Sequence, residues 1–457
     1  MNSGDDLEFL QEDVWKAGKG SGGLCLNGLR AVITMDPSNP IVWDAYIYVE
    51  EGLIKSLGVG KGPNAEVELD ARGKVAIPGM IDLHSHSTQA FLRGVFNEMC
   101  LMEWLNATEI SYTRVGKELL EISSTVSFLE RLKGGITTVV DMEPFPEIVA
   151  SASKKVGLRT ELSILMADTP ELPDQEVSSL EQELIKAKRS IREFQGNQKL
   201  WVSLAPVGFP AVSNELFERS AELAREKGLR LHTHVGESRI NANLCKRRNG
   251  KSEIELLEDL GFLSPRTQLA HVIWISETDI ETLSKYRTAV VHCPSSNLKL
   301  ASGVTRVPEM IKMGVRVGLG LDGAASNSSQ DMFQEMRIAS TLHKGVGMDP
   351  KAVSAEEALD MATTQAANIL GLEERVGRIS PGYWADLTLI DVSKPRYLPL
   401  EAINSHIVYS AQASDVFGVL VDGEVLVWDG RHTSLDESAV LRKAGELFSE
   451  FLHGVVP

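Results

Sequence analysis

A chain of 457 residues, 43% hydrophobic and 24% charged, is longer than one average domain and has the composition of folded proteins, which excludes a peptide-like binder and overall disorder. Its 46 basic residues are outnumbered by 63 acidic ones, for a net charge of -17. That balance repels phosphate backbones and anionic lipid surfaces, so neither nucleic acid nor a membrane is expected as a partner.

In chain order, residues 1–23 are polar and Gly-rich around 18–23, which predicts a flexible leader without the basic start and apolar core of a signal peptide. Over 24–76, short strands at 30–34, 45–49 and 54–57 are punctuated by Asp, Pro and Gly, the texture of a small β unit. From 77 to 375, short apolar segments alternate with longer helical stretches, the rhythm of βα units around a parallel sheet. Eight such segments occur, at 75–84, 136–142, 158–166, 200–207, 229–235, 267–272, 288–294 and 315–322. From His84 to Asp322 the spacing averages 34 residues per interval, about the length of a strand, a crossover helix and two loops, and it predicts a closed (β/α)8 TIM barrel of the α/β class. An open doubly wound sheet would favour a Gly-rich turn after its first strand, where this chain has His84-Ser85-His86-Ser87. Strand texture returns within 376–434, so both chain ends are expected to pair into one satellite sheet domain, followed by a C-terminal helix at 435–457. Four scattered cysteines without a CxxC pair exclude a disulfide framework and fit reduced thiols in the cytoplasm.

Catalytic groups in such barrels stand where strands run into their following loops. His84 and His86 end the first segment, and i, i+2 spacing on an extended chain points both imidazoles to one face. His234 ends the fifth segment, His271 lies on the sixth, His292 on the seventh, and Asp322 ends the eighth. A lone histidine at a strand end is usually a packed rim residue. His84, His86, His234 and Asp322 together offer three nitrogens and one oxygen, the donor set of a catalytic divalent metal. His232, about 6–7 Å farther down its strand, reads as barrel interior, while His292 could pack beneath the site or touch substrate. Glu237 follows His234 by three residues, placing a carboxylate beside the metal without ligating it, where a proton shuttle would sit.

The strings His84-Ser85-His86, His232-Thr233-His234-Val235-Gly236-Glu237, Ala270-His271 and Leu321-Asp322-Gly323-Ala324-Ala325-Ser326-Asn327 resemble the amidohydrolase superfamily. Phe91-Leu92-Arg93-Gly94, Leu101-Met102-Glu103-Trp104-Leu105 and Phe333-Gln334-Glu335-Met336-Arg337 extend the likeness over 24–427. It is nearest the cytosine deaminase-like branch, with its methylthioadenosine/adenosylhomocysteine deaminases, guanine deaminases and s-triazine hydrolases. The resemblance implies a small β-sandwich made from both chain ends and one divalent metal, zinc by default with iron or manganese as alternatives, held by His84, His86, His234 and Asp322. The fourth segment has no Lys to bridge a second metal. It further implies that metal-activated water attacks an amino-bearing ring carbon of a small N-heterocycle and releases ammonia. Asp322 would be the base, His271 would hydrogen-bond the attacking oxygen, and Glu237 would carry a proton to the ring and the leaving group. Two other readings stand beside this aminohydrolase: the same site expelling halide or alkylamine from an s-triazine, and a scaffold that has lost catalysis. Glu103, Trp104, His271 and Trp274 are the expected substrate contacts, and a homo-oligomer is expected. The His after the fourth strand and the Arg after the third that serve nucleoside-deaminating relatives are replaced by apolar stretches at 205–210 and 162–167, which favours a compact, apolar heterocycle over an adenosine-type substrate.

Overall fold

The computed structural model describes residues 12–170 and 177–455. The first sheet carries β1 (Leu24–Ile33), β2 (Ile41–Glu50), β3 (Leu53–Val59), β4 (Val67–Asp70) and β5 (Lys74–Pro78). The barrel strands follow as β6 (Met80–His86), β7 (Ile136–Glu143), β8 (Arg159–Met166), β9 (Leu200–Pro206), β10 (Leu231–Val235), β11 (Thr267–His271), β12 (Ala289–His292), β13 (Val317–Leu319) and β14 (Asp322–Gly323). The chain then returns to the first sheet with β15 (Leu387–Asp391), β16 (Val416–Val421), β17 (Glu424–Trp428) and β18 (Arg431–His432).

β6 through β13 pair in sequence order and in parallel, and β14 pairs back onto β6. β13 and β14 are the two halves of one strand, interrupted at Gly320-Leu321, so the ring is an eight-stranded TIM barrel. Its strands are buried on both faces, as parallel sheets wrapped by helices must be; every residue of β7 is buried. At the interruption, Gly320 N–H donates to His292 O at 3.0 Å, while Leu321 N–H donates to the Asp82 carboxylate at 2.9 Å. A side chain would not fit there: a Cβ on Gly320 would stand 2.7 Å from that of His84.

The apolar segment 75–84 is two strands rather than one. Pro78-Gly79 divides it, because proline cannot donate to a ladder and Gly79 is pressed against Thr137, where a Cβ would lie 2.3 Å away. β5 pairs antiparallel with β15, joining the two chain ends in one continuous sheet. Its core gathers Leu26 and Leu29 from β1, Ile47 from β2 and Ile54 from β3 with Leu387 from β15 and Leu420 from β16. The expected flexible leader fails over 12–23. A short helix at Glu12–Lys16 buries Trp15 against Trp428, with ring centroids 6.4 Å apart, and Gly18 O accepts from Gly52 N–H at 2.8 Å. Residues 1–11 of that leader lie outside the described residues. The C-terminal helix, Glu437–Val455, sets Phe451 edge-on against Phe91 at 5.0 Å, just beyond the histidines of β6. Among the described residues no helix is long and apolar enough to cross a membrane.

Candidate active site

Every ligand candidate sits at the C-terminal end of a barrel strand, the end where barrels of this kind hold their chemistry. His84 and His86 close β6, His234 lies near the end of β10, and Asp322 opens β14. Asp322 and His271 adopt left-handed backbone, φ +61° and +70°, a conformation costing about 1–3 kcal/mol for such residues and concentrated at functional sites.

His86 Nδ1 donates to Met142 O at 2.7 Å and His234 Nδ1 to Val207 O at 2.6 Å. Those bonds fix both tautomers and leave each Nε2 a lone pair aimed into the site. The two Nε2 atoms stand 3.4 Å apart, and His84 Nε2 is 3.1 Å from that of His234. Asp322 Oδ1 lies 3.6 Å from Nε2 of both His84 and His86. Facing lone pairs repel unless a cation lies between them, and donors about 2.0–2.2 Å from one tetrahedral ion would stand ~3.3–3.6 Å apart. The four residues fit a single divalent ion. Burial, followed by the charges of His271 and His86, pushes His234 down to about 3, so its nitrogen is free of a proton at neutral pH. Burial alone would raise Asp322; His271, His86 and the Ser296 hydroxyl, at 2.6 Å, outweigh it and hold the carboxyl at about 2.

Beside this cluster, His271 Nε2 is 3.7 Å from Glu237 Oε1. Asn297 turns its amide N–H to Thr305, so its Oδ1 accepts from His271 Nδ1 at 2.8 Å. Neutral His271 therefore faces the cavity with an acceptor nitrogen, and once protonated with a donor. Burial raises the Glu237 pKa above the ordinary carboxylate value, the His271 charge opposing it. A group that keeps its proton closer to neutrality suits acid–base work. Beneath the site, Asp82 Oδ1 accepts from the backbone N–H of both His84, at 3.2 Å, and Leu321. Its Oδ2 accepts from Arg131 Nε at 2.9 Å, and Arg131 Nη2 donates to Asp322 O at 2.9 Å.

A cavity of about 630 Å³ opens over these groups and is lined by His86, His234, Glu237, His271 and Asp322, within the size range of small-molecule sites. Trp104 lines it as expected, with Phe209. Two expected contacts do not. Glu103 is exposed on the helix Leu101–Tyr112 and accepts from Cys100 N–H at 3.2 Å, capping that helix's first turn. Trp274 is 41% exposed, donates its indole N–H to Ser302 O at 2.7 Å and is absent from the lining. His292 is buried beneath the site, its Nε2 3.2 Å from that of His343, and does not border the cavity. His232 is buried in the barrel interior, within 3.2 Å of Gln268. Unforeseen lining residues include Gln89, Thr108, Glu143 and Asn241. Glu143 is the next residue after the predicted second strand, so the strand-end rule applied one residue farther would have found it.

Residues 75–426 match the amidohydrolase family model. A 5'-deoxyadenosine deaminase from Methanosarcina mazei is 36% identical over 424 residues, 92% of this chain and 96% of its own. A 5-methylthioadenosine/S-adenosylhomocysteine deaminase from Thermodesulfovibrio yellowstonii is 33% identical over 423 residues, 90% of this chain and 95% of its own. Among solved structures, an adenosine deaminase from Xanthomonas campestris with bound zinc superposes with a TM-score of 0.89 at 26% identity, covering 94% of this chain and 98% of that one. The chain belongs to the amidohydrolase family and is a hydrolase acting on carbon–nitrogen bonds.

Proposed function

We propose that this protein is a divalent-metal-dependent deaminase of an adenosine-type nucleoside, with His84, His86, His234 and Asp322 holding the ion, zinc by preference. The observation that carries the reading is the convergence of three imidazole nitrogens and one carboxylate, 3.1–3.6 Å apart in four of their pairings, on the floor of a cavity that also holds Glu237 and His271. An all-N/O set of four donors suits zinc, and the zinc-bearing adenosine deaminase shares the fold. The relatives named for adenosine derivatives, at 33% and 36% identity over nine-tenths of the chain, replace the expectation of a compact apolar heterocycle.

A divalent ion held there supplies a Lewis acid that brings the pKa of water toward about 7. Asp322, ionised throughout the neutral range, accepts the water's proton. Glu237, just across from His271, gives its proton to the ring nitrogen next to the reacting carbon, takes up the proton of the added hydroxyl as the carbonyl forms, passes it to the departing amine, and is reprotonated by the proton that Asp322 took from the water. His271, whose Nδ1–H donates to Asn297, accepts a hydrogen bond at Nε2 from the attacking oxygen and holds it toward the ring carbon. One water is consumed, the exocyclic C–N bond breaks, and a ring carbonyl and ammonia leave.

Ammonia release from 5'-deoxyadenosine, methylthioadenosine, adenosine and guanine, with the metal content of the same sample, tests the reading. One equivalent of ion and turnover of at least one adenosine derivative are expected, with Asp322→Asn lowering kcat at least ~1,000-fold. An ion-loaded enzyme silent on every nucleoside would overturn the substrate assignment.

A further inference from the structure

We propose that Glu253 is a positioning residue for the reaction, holding the turn that aims Glu237 at His271, an assignment that rests on Glu237 being the proton donor of the deaminase reading above. Glu253 opens the helix Glu253–Asp259 and is 7% exposed. It is absent from the cavity lining, so it acts through another residue. Its Oε2 accepts from Gly236 N–H at 3.0 Å, one residue before Glu237 in the chain.

Glu237 stands on the loop that leaves β10, and a loop keeps its shape through the bonds its backbone makes. The loop leaving β11 supplies one set. Val272 N–H donates to Val235 O at 2.9 Å, and Gly236 O accepts from Trp274 N–H at 2.9 Å and from Ile273 N–H at 3.2 Å. Those bonds lay the loop of Glu237 along the loop that follows His271, so both groups share one frame. On the far side of Glu237, Ser238 caps the helix Arg239–Asn249, its Oγ accepting from Asn241 N–H at 3.1 Å. Gly236 itself is left-handed at φ +56°, the freest residue type at the point where the chain turns. Its carbonyl belongs to the neighbouring loop and its N–H to Glu253. With that N–H released, the peptide before Gly236 is free to rotate, and Glu237 Oε1, 3.7 Å from His271 Nε2, moves with the turn.

A carboxyl is a costly way to satisfy one buried N–H. Glu253 Oε1 is buried without a partner. Burial, opposed by the Gly236 bond and reinforced by the charges of Glu237 and Asp279, raises the Glu253 pKa to about 7. A buried group left half-satisfied calls for a reason, and the reason here lies next door, in the direction of Glu237. What the turn requires is an acceptor at the right reach, not a charge.

Two variants separate reach from charge. Glu253→Gln keeps the length and an acceptor oxygen but cannot ionise, while Glu253→Asp keeps the carboxyl and draws it back by one methylene, about 1.5 Å. Ammonia release from 5'-deoxyadenosine, methylthioadenosine and adenosine by the zinc-loaded proteins gives kcat and KM. Glu253→Gln should keep kcat within about threefold of wild type. Glu253→Asp should lower kcat roughly 10- to 100-fold with KM within about twofold, the cost of misplacing a reacting group by about 1 Å, and should still hold one equivalent of zinc. Wild-type kcat in Glu253→Asp, or a Glu253→Gln as slow as Glu253→Asp, would overturn the positioning role alone. Loss of zinc from Glu253→Asp would trace the fall to the metal and overturn it too. A zinc-loaded wild type that deaminates none of the three nucleosides would overturn the deaminase reading and this assignment with it.

Discussion

Two Arg–Asp pairs with fully buried side chains occupy different parts of the barrel, and they serve different ends. Arg159, at the start of β8, pairs through two nitrogens with Asp386 at 3.2 Å, donates to Gln198 O and lies 4.1 Å over the Trp384 ring. Asp386 in turn accepts from Asp422 N–H at 2.7 Å. The contacts with Asp386 and Trp384 tie the barrel to the sheet made from the chain ends. Arg131 and Asp82 instead reach the backbone of His84, Leu321 and Asp322. They take over hydrogen bonding where the eighth strand is interrupted, and hold Asp322 in its strained backbone opposite the β6 histidines. Similar chemistry thus docks a domain at one end and aligns the proposed metal ligands at the other, and only the second pair should be felt by a bound ion.

That difference can be broken by substitution. Arg131→Met strands the Asp82 carboxylate in the interior, so unfolding free energy should fall by about 3–5 kcal/mol. The folded fraction should also bind zinc about 10- to 100-fold more weakly, the usual effect of losing a group that orients metal ligands. Denaturant unfolding and competition with a chromophoric chelator measure the two effects separately. Unchanged zinc affinity in the folded protein would reduce Arg131 to a purely structural role. Arg159→Met should cost a comparable ~3–5 kcal/mol with zinc affinity within about twofold of wild type, because none of its contacts reaches a ligand. If zinc affinity falls as far as in Arg131→Met, the contrast between the two ends of the barrel fails.

The legibility of the sequence follows the same divide. His84, His86, His234, His271 and Asp322 were readable because strand ends concentrate chemistry and each is a residue type whose presence there needs a reason. The barrel was readable from spacing, since its strands are continuous apolar runs separated by helix-length intervals. Glu103, three residues after Cys100, stands where a helix-start signal and a family string coincide, and in the fold it caps that helix and does not line the cavity. Arg131 and Asp82 were invisible: an arginine in a helix with Glu130 before it and Lys133 two residues after it reads as surface, and only the tertiary fold reveals that both side chains are fully buried. The Pro78-Gly79 break was on the page, but the apolar run around it masked the change from one sheet to the other.

Titration separates the two regions as well. In and beneath the site, burial holds several histidines neutral, His234 down to about 3 and His84, His232 and His292 well below normal. Between pH ~6.5 and ~3 the unfolded chain therefore binds protons that the folded chain refuses, and stability falls as pH falls, by about 1 kcal/mol per pH unit for each such histidine. Chelator-treated protein should show this slope in denaturant unfolding from pH 7 to 5, and Glu103→Gln should not alter it. At the junction the sign is the same but the window is alkaline. Lys199, near Glu424, is lowered to about 8 by burial and then by Lys19. From pH ~8 to ~10.5 the unfolded lysine is charged while the folded one is not, so stability should rise with pH across that range, and Lys199→Met should flatten the rise. One lysine against four histidines makes the alkaline effect the smaller of the two, and a flat wild-type curve above pH 8 would show that Lys199 keeps its proton by relaxing toward solvent.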